Sequence, residues 1–212
     1  MSDYRIAVLD IGKTNKKLFV YDSDLRCLNP DEKGTVIPEV TIDGMLCDDM
    51  AAIRRWMLAG LKDASEQFTG IRCVSISTHG ATIALLGAKK DRYFPGDGGL
   101  VFPIVSYMQP VTPREEESFY EDVGLEAGLL QISTATAPFG YLINHGKQIH
   151  WLKKRFPERF AKVTDILMFS QYVSYLLTGN KDAIEPTYIG CHGYLLGADG
   201  KSYSEVAKRL EV

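Results

Sequence analysis

The strongest constraint on the fold is a short polar turn between two apolar segments near the start of this 212-residue chain. Arg5 to Asp10 (RIAVLD) precedes the turn IGKTNKK, and Leu18 to Tyr21 (LFVY) follows it. Both flanking segments have the composition of β-strands. The pattern predicts a hairpin whose first strand ends on a carboxylate.

The residues of this turn suit the binding of phosphate groups. Asp10 can hold a hydrated Mg²⁺, and Gly12 lets the backbone approach an anion without a Cβ in the way. Thr14 and Lys17 can donate hydrogen bonds to phosphate oxygens. The alternative is an ordinary hairpin with a glycine turn and solvated lysines.

The triplet GKT in this turn does not make a P-loop. That motif requires a glycine five positions before Gly12, where this chain has Ala7. It also requires a helix after the lysine, whereas KLFVYD is typical of a strand. Both differences argue against a P-loop.

The rest of the chain alternates helical and strand patterns. Asp48 to Phe68 carries apolar residues at intervals of three and four, which predicts an amphipathic helix. Cys73 to Thr78 and Ala81 to Leu86 then predict buried strands, and a helix leading into a buried strand indicates an α/β fold in one domain. Further predictions are strands within 29–43, 102–107 and 165–169, and helices at 113–122, 146–156, 170–177 and 204–210.

Composition excludes several classes of protein. The net charge of −3 is spread along the chain, so neither nucleic acid nor an anionic membrane is an expected partner. The four cysteines lie far apart, without the spacing of a zinc site or a disulfide framework. No signal peptide pattern opens the chain, which predicts a cytoplasmic protein. Oligomeric state is open, with a homodimer as one alternative.

Three segments carry a resemblance to a known family. The pattern DxGxTxxK at 10–17 resembles the first phosphate motif of the actin-like ATPase superfamily. STHGATIALL at 77–86 resembles the sugar loop of the FGGY carbohydrate kinases, and Trp151 to Gly179 resembles a longer block of that family. The resemblance covers almost the whole chain. It implies a ribonuclease H-like (actin-like ATPase) α/β domain with a mixed central sheet flanked by helices.

The resemblance also implies an activity, the ATP-dependent phosphorylation of a ketose, deoxyketose or polyol, with ATP and Mg²⁺ as cofactors. Asp10 would assist Mg²⁺ through water, and Gly12, Thr14 and Lys17 would lie at the phosphates. The family often has arginine where this chain has Lys17. Lysine keeps the charge but loses the bidentate geometry.

The resemblance places the sugar at His79 and Gly80, where a hydrogen bond from His79 to a hydroxyl is expected. The family's next sugar contact is an acidic residue after an aromatic one. Here the chain reads SYMQP, and Gln109 occupies that place or one near it. An amide can bond a hydroxyl in both directions, but the change leaves the identity of the sugar open.

Other aromatic and histidine residues receive no chemical role from the sequence. Phe139 and Tyr141 can stack on a sugar face or belong to the core, and the core is the prediction. His145, His150 and His192 lack the spacing of metal ligands, so no chemistry is assigned to them.

The carboxylate that accepts the hydroxyl proton is expected beyond Val212, as is the nucleotide lobe of the family. Residues 1–212 are thus expected to form an N-terminal sugar-binding lobe that is inactive alone. Asp182 and Glu185 stand outside the expected sequence context for such a carboxylate. A non-catalytic sugar- or phosphate-binding module and a structural actin-like protein are the alternatives.

Overall fold

The computed structural model describes residues 4–88, 90–182 and 186–212. These divide into two compact units: unit 1 (Met1–Glu39 and Asp49–His79) and unit 2 (Val40–Asp48 and Gly80–Val212). The sequence predicted one domain because no linker interrupts it. The chain passes from one unit to the other more than once, so the division leaves no linker-like segment in the sequence.

The helices and strands follow one another in a mixed α/β order. In chain order they are β1 (Arg5–Ile11), β2 (Lys16–Tyr21), β3 (Val40–Ile42), β4 (Met45–Cys47), α1 (Met50–Gln67), β5 (Ile71–Thr78), β6 (Ile83–Leu86), α2 (Pro113–Val123), α3 (Ala127–Thr134), α4 (His145–Arg155), α5 (Pro157–Phe160), β7 (Asp165–Met168), α6 (Phe169–Thr178), α7 (Pro186–His192) and α8 (Glu205–Leu210).

Unit 1 is built on a mixed sheet with the strand order β2-β1-β5. β2 runs antiparallel to β1, as the predicted hairpin requires, and β5 runs parallel to β1. Alternate residues of β1 are buried, and α1 buries Ile53 and Met57. α1 begins after Asp49, whose carboxylate accepts a hydrogen bond from the backbone N–H of Ala52. The predicted α/β fold class is confirmed.

β5 differs from its prediction as a buried strand. Its middle residues are exposed, and Val74 keeps 44% of its surface accessible. β5 is an edge strand of the sheet, and its place in the strand order depends on contacts that are distant in sequence. Composition alone therefore did not distinguish an edge strand from a central one.

One other predicted strand is confirmed only in part, and another is wrong. Within 29–43 only Val40–Ile42 forms a strand, and it pairs with β4 in unit 2 rather than with the first hairpin. The apolar segment 102–107 contains no strand, although Phe102 to Val105 is buried and Val105 makes a single bridge to Cys47. A continuous apolar run indicates burial more reliably than it indicates a strand.

Unit 2 contains an extensive apolar core under its helices. The short antiparallel pair of β6 and β7 contributes to it, and every residue of β6 is buried. α2 begins with a capping box in which Thr112 and Glu115 bond each other's backbone N–H. α6 ends at Gly179, which adopts the left-handed conformation with φ 72°.

The polar loop after β6 closes around one buried carboxylate. Asp97 is fully buried, and its two oxygens accept hydrogen bonds from the backbone N–H groups of Asp91, Arg92, Tyr93 and Gly99 at 2.9 to 3.0 Å. All four of these donors belong to the same loop as Asp97. Asp97 therefore holds the loop in shape.

No helix within the described ranges has the length and apolar character needed to cross a membrane.

Candidate functional site

The end of the first hairpin places a carboxylate beside a lysine. In the sheet register Asp10 pairs with Lys17 across β2 and with Ser77 across β5. Directly paired residues of neighbouring strands point to the same face. Asp10 and Lys17 are partly exposed and Ser77 is exposed, so opposite charges and a hydroxyl share one accessible face of unit 1.

The turn between β1 and β2 depends on Gly12. A Cβ at this position would lie 3.0 Å from the carbonyl oxygen of Asn15, which is closer than ordinary packing allows. Thr14 and Asn15 are exposed at the tip of the turn. Gly12 thus allows a close backbone turn that presents the Thr14 hydroxyl to solvent.

The three lysines of the turn have different environments. Lys16 is buried, and its ammonium group donates to the carbonyl of Lys13 at 3.0 Å. Lys13 forms an ion pair with Glu39 at 2.5 Å. Lys17 lies 5.9 Å from the centre of the Phe19 ring, on the same face as Asp10. Of the three, the lysine chosen from the motif is the one beside the carboxylate.

His79 lies at the same end of the sheet as the hairpin turn. Its backbone N–H donates to the carbonyl of Ile11 at 3.1 Å, directly after β5 ends. In sheets with parallel strands, ligands bind at the carboxyl ends of the strands. Unit 1 therefore brings together the predicted residues Asp10, Thr14, Lys17 and His79 at one sheet end.

Gly80 and Gln109 belong to unit 2. The Gln109 side chain bonds the backbone at both ends of its amide. Its oxygen accepts from the N–H of Leu46 at 2.6 Å, and its nitrogen donates to the carbonyl of Pro110 at 2.8 Å. These bonds tie β4 to the loop that carries Gln109, and its role as a sugar contact stays a prediction.

The first turn of α4 holds the loop after His79, a function that the sequence did not reveal. The Nε2 of His145 lies 2.9 Å from the carbonyl oxygen of Gly80. The side-chain nitrogen of Gln148 donates to the carbonyls of Ala81 at 2.5 Å and Leu142 at 2.7 Å. Two side chains of one helix thus fix two successive carbonyls of the STHGA segment.

The same turn of α4 also anchors the segment before it. Asn144 donates to the carbonyl of Ala137 at 3.0 Å and accepts from the N–H of Phe139 at 3.0 Å. The buried Lys147 donates to the carbonyl of Phe139 at 2.6 Å and to Glu116 at 2.8 Å. The sequence carried a signal of this role. Polar residues such as Lys147 and Gln148 occupy buried positions of α4, where a helix is normally apolar.

Phe139 and Tyr141 were predicted to belong to the core, and this is wrong. Phe139 keeps 37% of its surface exposed and Tyr141 keeps 49%. Asn144 and Lys147 fix the backbone of this segment by bonding it from inside, which leaves its aromatic side chains at the surface.

Asp182, which the sequence left without a catalytic role, receives none from the structure either. Asp182 is exposed, and its backbone N–H donates to the Asn180 side chain at 2.8 Å. Glu185 lies outside the described residues.

Comparisons with known proteins place the fold. No protein-family model matches the chain, and no curated protein matches its sequence. A solved carbohydrate kinase from Novosphingobium aromaticivorans is 28% identical, with a TM-score of 0.79 over 99% of this chain and 41% of that one. A gluconate kinase from Lactobacillus acidophilus is 18% identical, with a TM-score of 0.79 over 100% of this chain and 40% of that one. A xylulose kinase from the same organism is 17% identical, with a TM-score of 0.78 over 99% and 40%.

The chain spans about two fifths of the length of these kinases. Each match extends over nearly all of this chain, which includes both compact units. The resemblance read from the sequence motifs is confirmed. By its fold, the chain is similar to these solved carbohydrate kinases.

Proposed function

We propose that this chain supplies the phosphate- and sugar-contacting part of an enzyme that phosphorylates a sugar or polyol with ATP. The observation that carries the proposal is the grouping of Asp10, Lys17 and His79 at one end of the unit 1 sheet. The structural neighbours, which are sugar kinases, support it.

In the reaction, a sugar hydroxyl oxygen bonds to the γ-phosphorus of ATP. The bond from that phosphorus to the β–γ bridging oxygen breaks, which releases ADP, and the hydroxyl proton passes to a carboxylate. Negative charge on the phosphoryl oxygens must be neutralised throughout. Lys17 would supply positive charge there, and the exposed Thr14 hydroxyl would donate a hydrogen bond to a phosphate oxygen.

The hairpin can contribute one carboxylate to a Mg²⁺ ion whose remaining ligands are water and substrate phosphates. In the part of the chain that the structure describes, no group of three or more His, Cys, Asp or Glu side chains could hold a metal ion. Mg²⁺ keeps several waters and commonly binds one or two carboxylates together with substrate phosphates. Asp10 fits that need as the single carboxylate, acting through water. When bound, the ion neutralises charge on the nucleotide phosphates.

His79 and Gly80 would line the sugar pocket, with Gln109 as a further contact. We place the carboxylate that accepts the proton outside residues 1–212. The isolated chain is therefore proposed to be inactive, while the gene product that contains it carries the activity.

The test is ADP release, measured with a coupled assay on that gene product and a panel of sugars and polyols. Asp10→Asn should lower turnover by about 10- to 100-fold, the range typical for a residue that orients a metal-bound group. Asp24→Asn is the matched control, because Asp24 is an exposed carboxylate at the opposite end of β2.

Two outcomes would contradict the proposal. Turnover by the isolated chain would show that the carboxylate lies within it. An absence of ADP release with every sugar and polyol tried would contradict the proposed kinase activity itself.

A further inference from the structure

Unit 2 has an apolar groove, beside the end of α8, that the proposed function does not use. Its volume is about 650 Å³, and its lining comes from α5, β7, α7, α8 and the segment 195–203. Met168 and Leu195 form part of its buried floor, whereas Ile166 and Tyr203 keep part of their surface exposed. Exposed apolar side chains gathered in one groove are typical of a surface that another chain segment covers.

The backbone at the end of α8 turns into this groove. Glu211 adopts the left-handed conformation with φ 56°, and its N–H donates to the carbonyl of Lys208 at 3.2 Å. The N–H of Val212 donates to the carbonyl of Ala207 at 3.1 Å. These two bonds make a Schellman motif, in which the residue after the left-handed one commonly packs on the last turn of the helix. Val212 and Ala207 both line the groove, so the motif carries the backbone into it.

Lys153 of α4 holds this turn in place. Its ammonium group donates to the carbonyl of Leu210 at 2.9 Å and pairs with the carboxylate of Glu211 at 2.6 Å. A residue other than glycine rarely adopts a positive φ, so the conformation of Glu211 needs surrounding contacts to hold it. The direction in which the backbone leaves α8 is therefore fixed within unit 2.

The lining of the groove favours a polypeptide over a polar small molecule. Thr164, Lys201 and Glu211 are polar, but they are exposed, and the floor is apolar. A ligand rich in hydroxyl or phosphate groups would find few partners there. Apolar side chains of a polypeptide would instead remove the exposed surface of Ile166 and Tyr203 from water, which stabilises the bound state.

A segment joined to Val212 is a better occupant than a second copy of the chain. A tethered segment is present at an effective concentration on the order of millimolar, so weak apolar contacts are enough to hold it. A second copy would lose its translational and rotational freedom on association.

We propose that the groove binds the polypeptide segment that directly follows Val212 in the gene product containing this chain. The segment enters from the Schellman turn and packs apolar side chains against Ile166 and Tyr203. The inference rests on the longer gene product of the proposed function, and this chain spans about two fifths of the solved kinases. It adds the place at which the rest of the polypeptide is anchored as it leaves unit 2.

Disulfide cross-linking in the gene product tests the path of the segment. Tyr203→Cys is combined with a cysteine at each of the six positions that follow Val212, which span at most about 20 Å of extended chain. A disulfide requires the two Cα atoms to lie within about 7 Å, so at least one pair should form under mild oxidation. Mass spectrometry of the unreduced peptides identifies the pair. Tyr203 is 67% exposed, so its replacement should leave unit 2 folded.

Glu205→Cys is the matched control. Glu205 is exposed on the same helix as Ala207, and residues two apart on a helix do not share a face. None of the six positions should cross-link to it.

Thiol labelling gives a second measurement that needs no cross-link. Tyr203→Cys should react with a soluble maleimide at least about tenfold more slowly in the gene product than in the 212-residue chain, because labelling then requires the segment to leave the groove. Glu205→Cys should react at the same rate in both proteins.

Three results would overturn the inference. The first is equal labelling of Tyr203→Cys in the two proteins. The second is protection that depends on protein concentration, which would identify a second copy as the occupant. The third is protection without a cross-link from any of the six positions, since another part of the gene product would then cover the groove. Neither measurement uses ADP release, so the kinase proposal is judged separately.

Discussion

The hairpin turn of unit 1 and the loop around Asp97 in unit 2 use the same residue types in opposite ways. Both are polar, glycine-containing segments with one prominent aspartate. Asp97 is buried and accepts four backbone N–H groups of its own loop. Asp10 is partly exposed and lies beside Lys17, and no described residue forms a hydrogen bond or ion pair with its carboxylate. A carboxylate occupied by its own backbone stabilises the fold, whereas one left open is available to a ligand.

The largest expected effect on stability comes from Asp97→Asn. The amide replaces one carboxylate oxygen by an NH₂ group, which then faces two N–H donors that it cannot accept from. Two backbone donors that point at this buried position lose their partner, and the free energy of unfolding should fall by about 3 kcal/mol or more. Urea unfolding of the chain measures this.

Asp91→Asn is the control in the same loop, because Asp91 is exposed and accepts from the Gly96 N–H at 2.5 Å. It should cost less than about 1 kcal/mol. Equal losses in the two variants would mean that burial does not distinguish these carboxylates.

The next largest effect is a pH dependence that arises from His145, whose buried ring bonds the Gly80 carbonyl through Nε2. Its pKa is about 4 in the folded chain against an ordinary 6.5, so the unfolded chain binds more protons between these values. Stability therefore rises with pH across this window and is lost as pH falls. From pH 7 to pH 5 the loss should be about 2 kcal/mol, at ~1.4 kcal/mol per pH unit below 6.5.

Urea unfolding at pH 7, 6 and 5 measures this loss in the wild type and in His145→Gln. Glutamine can still donate to the Gly80 carbonyl, but it does not titrate. The difference between the two proteins cancels the contribution of carboxylates, which both share. A parallel pH dependence in the two proteins would show that His145 is not the source.

The smallest effect on stability is expected for Thr14→Val in the open turn. Thr14 is exposed, and valine has nearly its shape, so the free energy of unfolding should change by less than about 0.5 kcal/mol. Turnover in the ADP-release assay should nevertheless fall about tenfold, as expected when a hydrogen bond to a charged phosphate is lost. A stability loss as large as that of Asp97→Asn would erase the contrast between the two regions.

Local signals made much of the fold predictable. The hairpin around Gly12, the helix after Asp49 and the helix after Thr112 follow from strand composition, apolar spacing and capping residues. The exposure of β5 and the absence of a strand at 102–107 did not follow, because they depend on strand order and on packing between segments distant in sequence.

The candidate site divides in the same way. Asp10, Thr14 and Lys17 stand in one short motif, so their proximity could be predicted. His145 and His192 lie on different helices, and their ring centroids come within 6.2 Å of each other beside Gly80, which is 65 residues from His145. Spacing rules for metal ligands could not reveal this pair of imidazoles.

The outer side of β5 has a consequence for handling this chain. Within unit 1, β5 pairs with β1 on one side only, so a strand of eight residues presents a row of backbone donors and acceptors outward. Such a row is a template for another strand, whether from the same polypeptide or from a neighbouring molecule. At high protein concentration, the 212-residue chain is expected to self-associate through this exposed strand edge. A charged residue in place of the exposed Val74 would oppose that self-association.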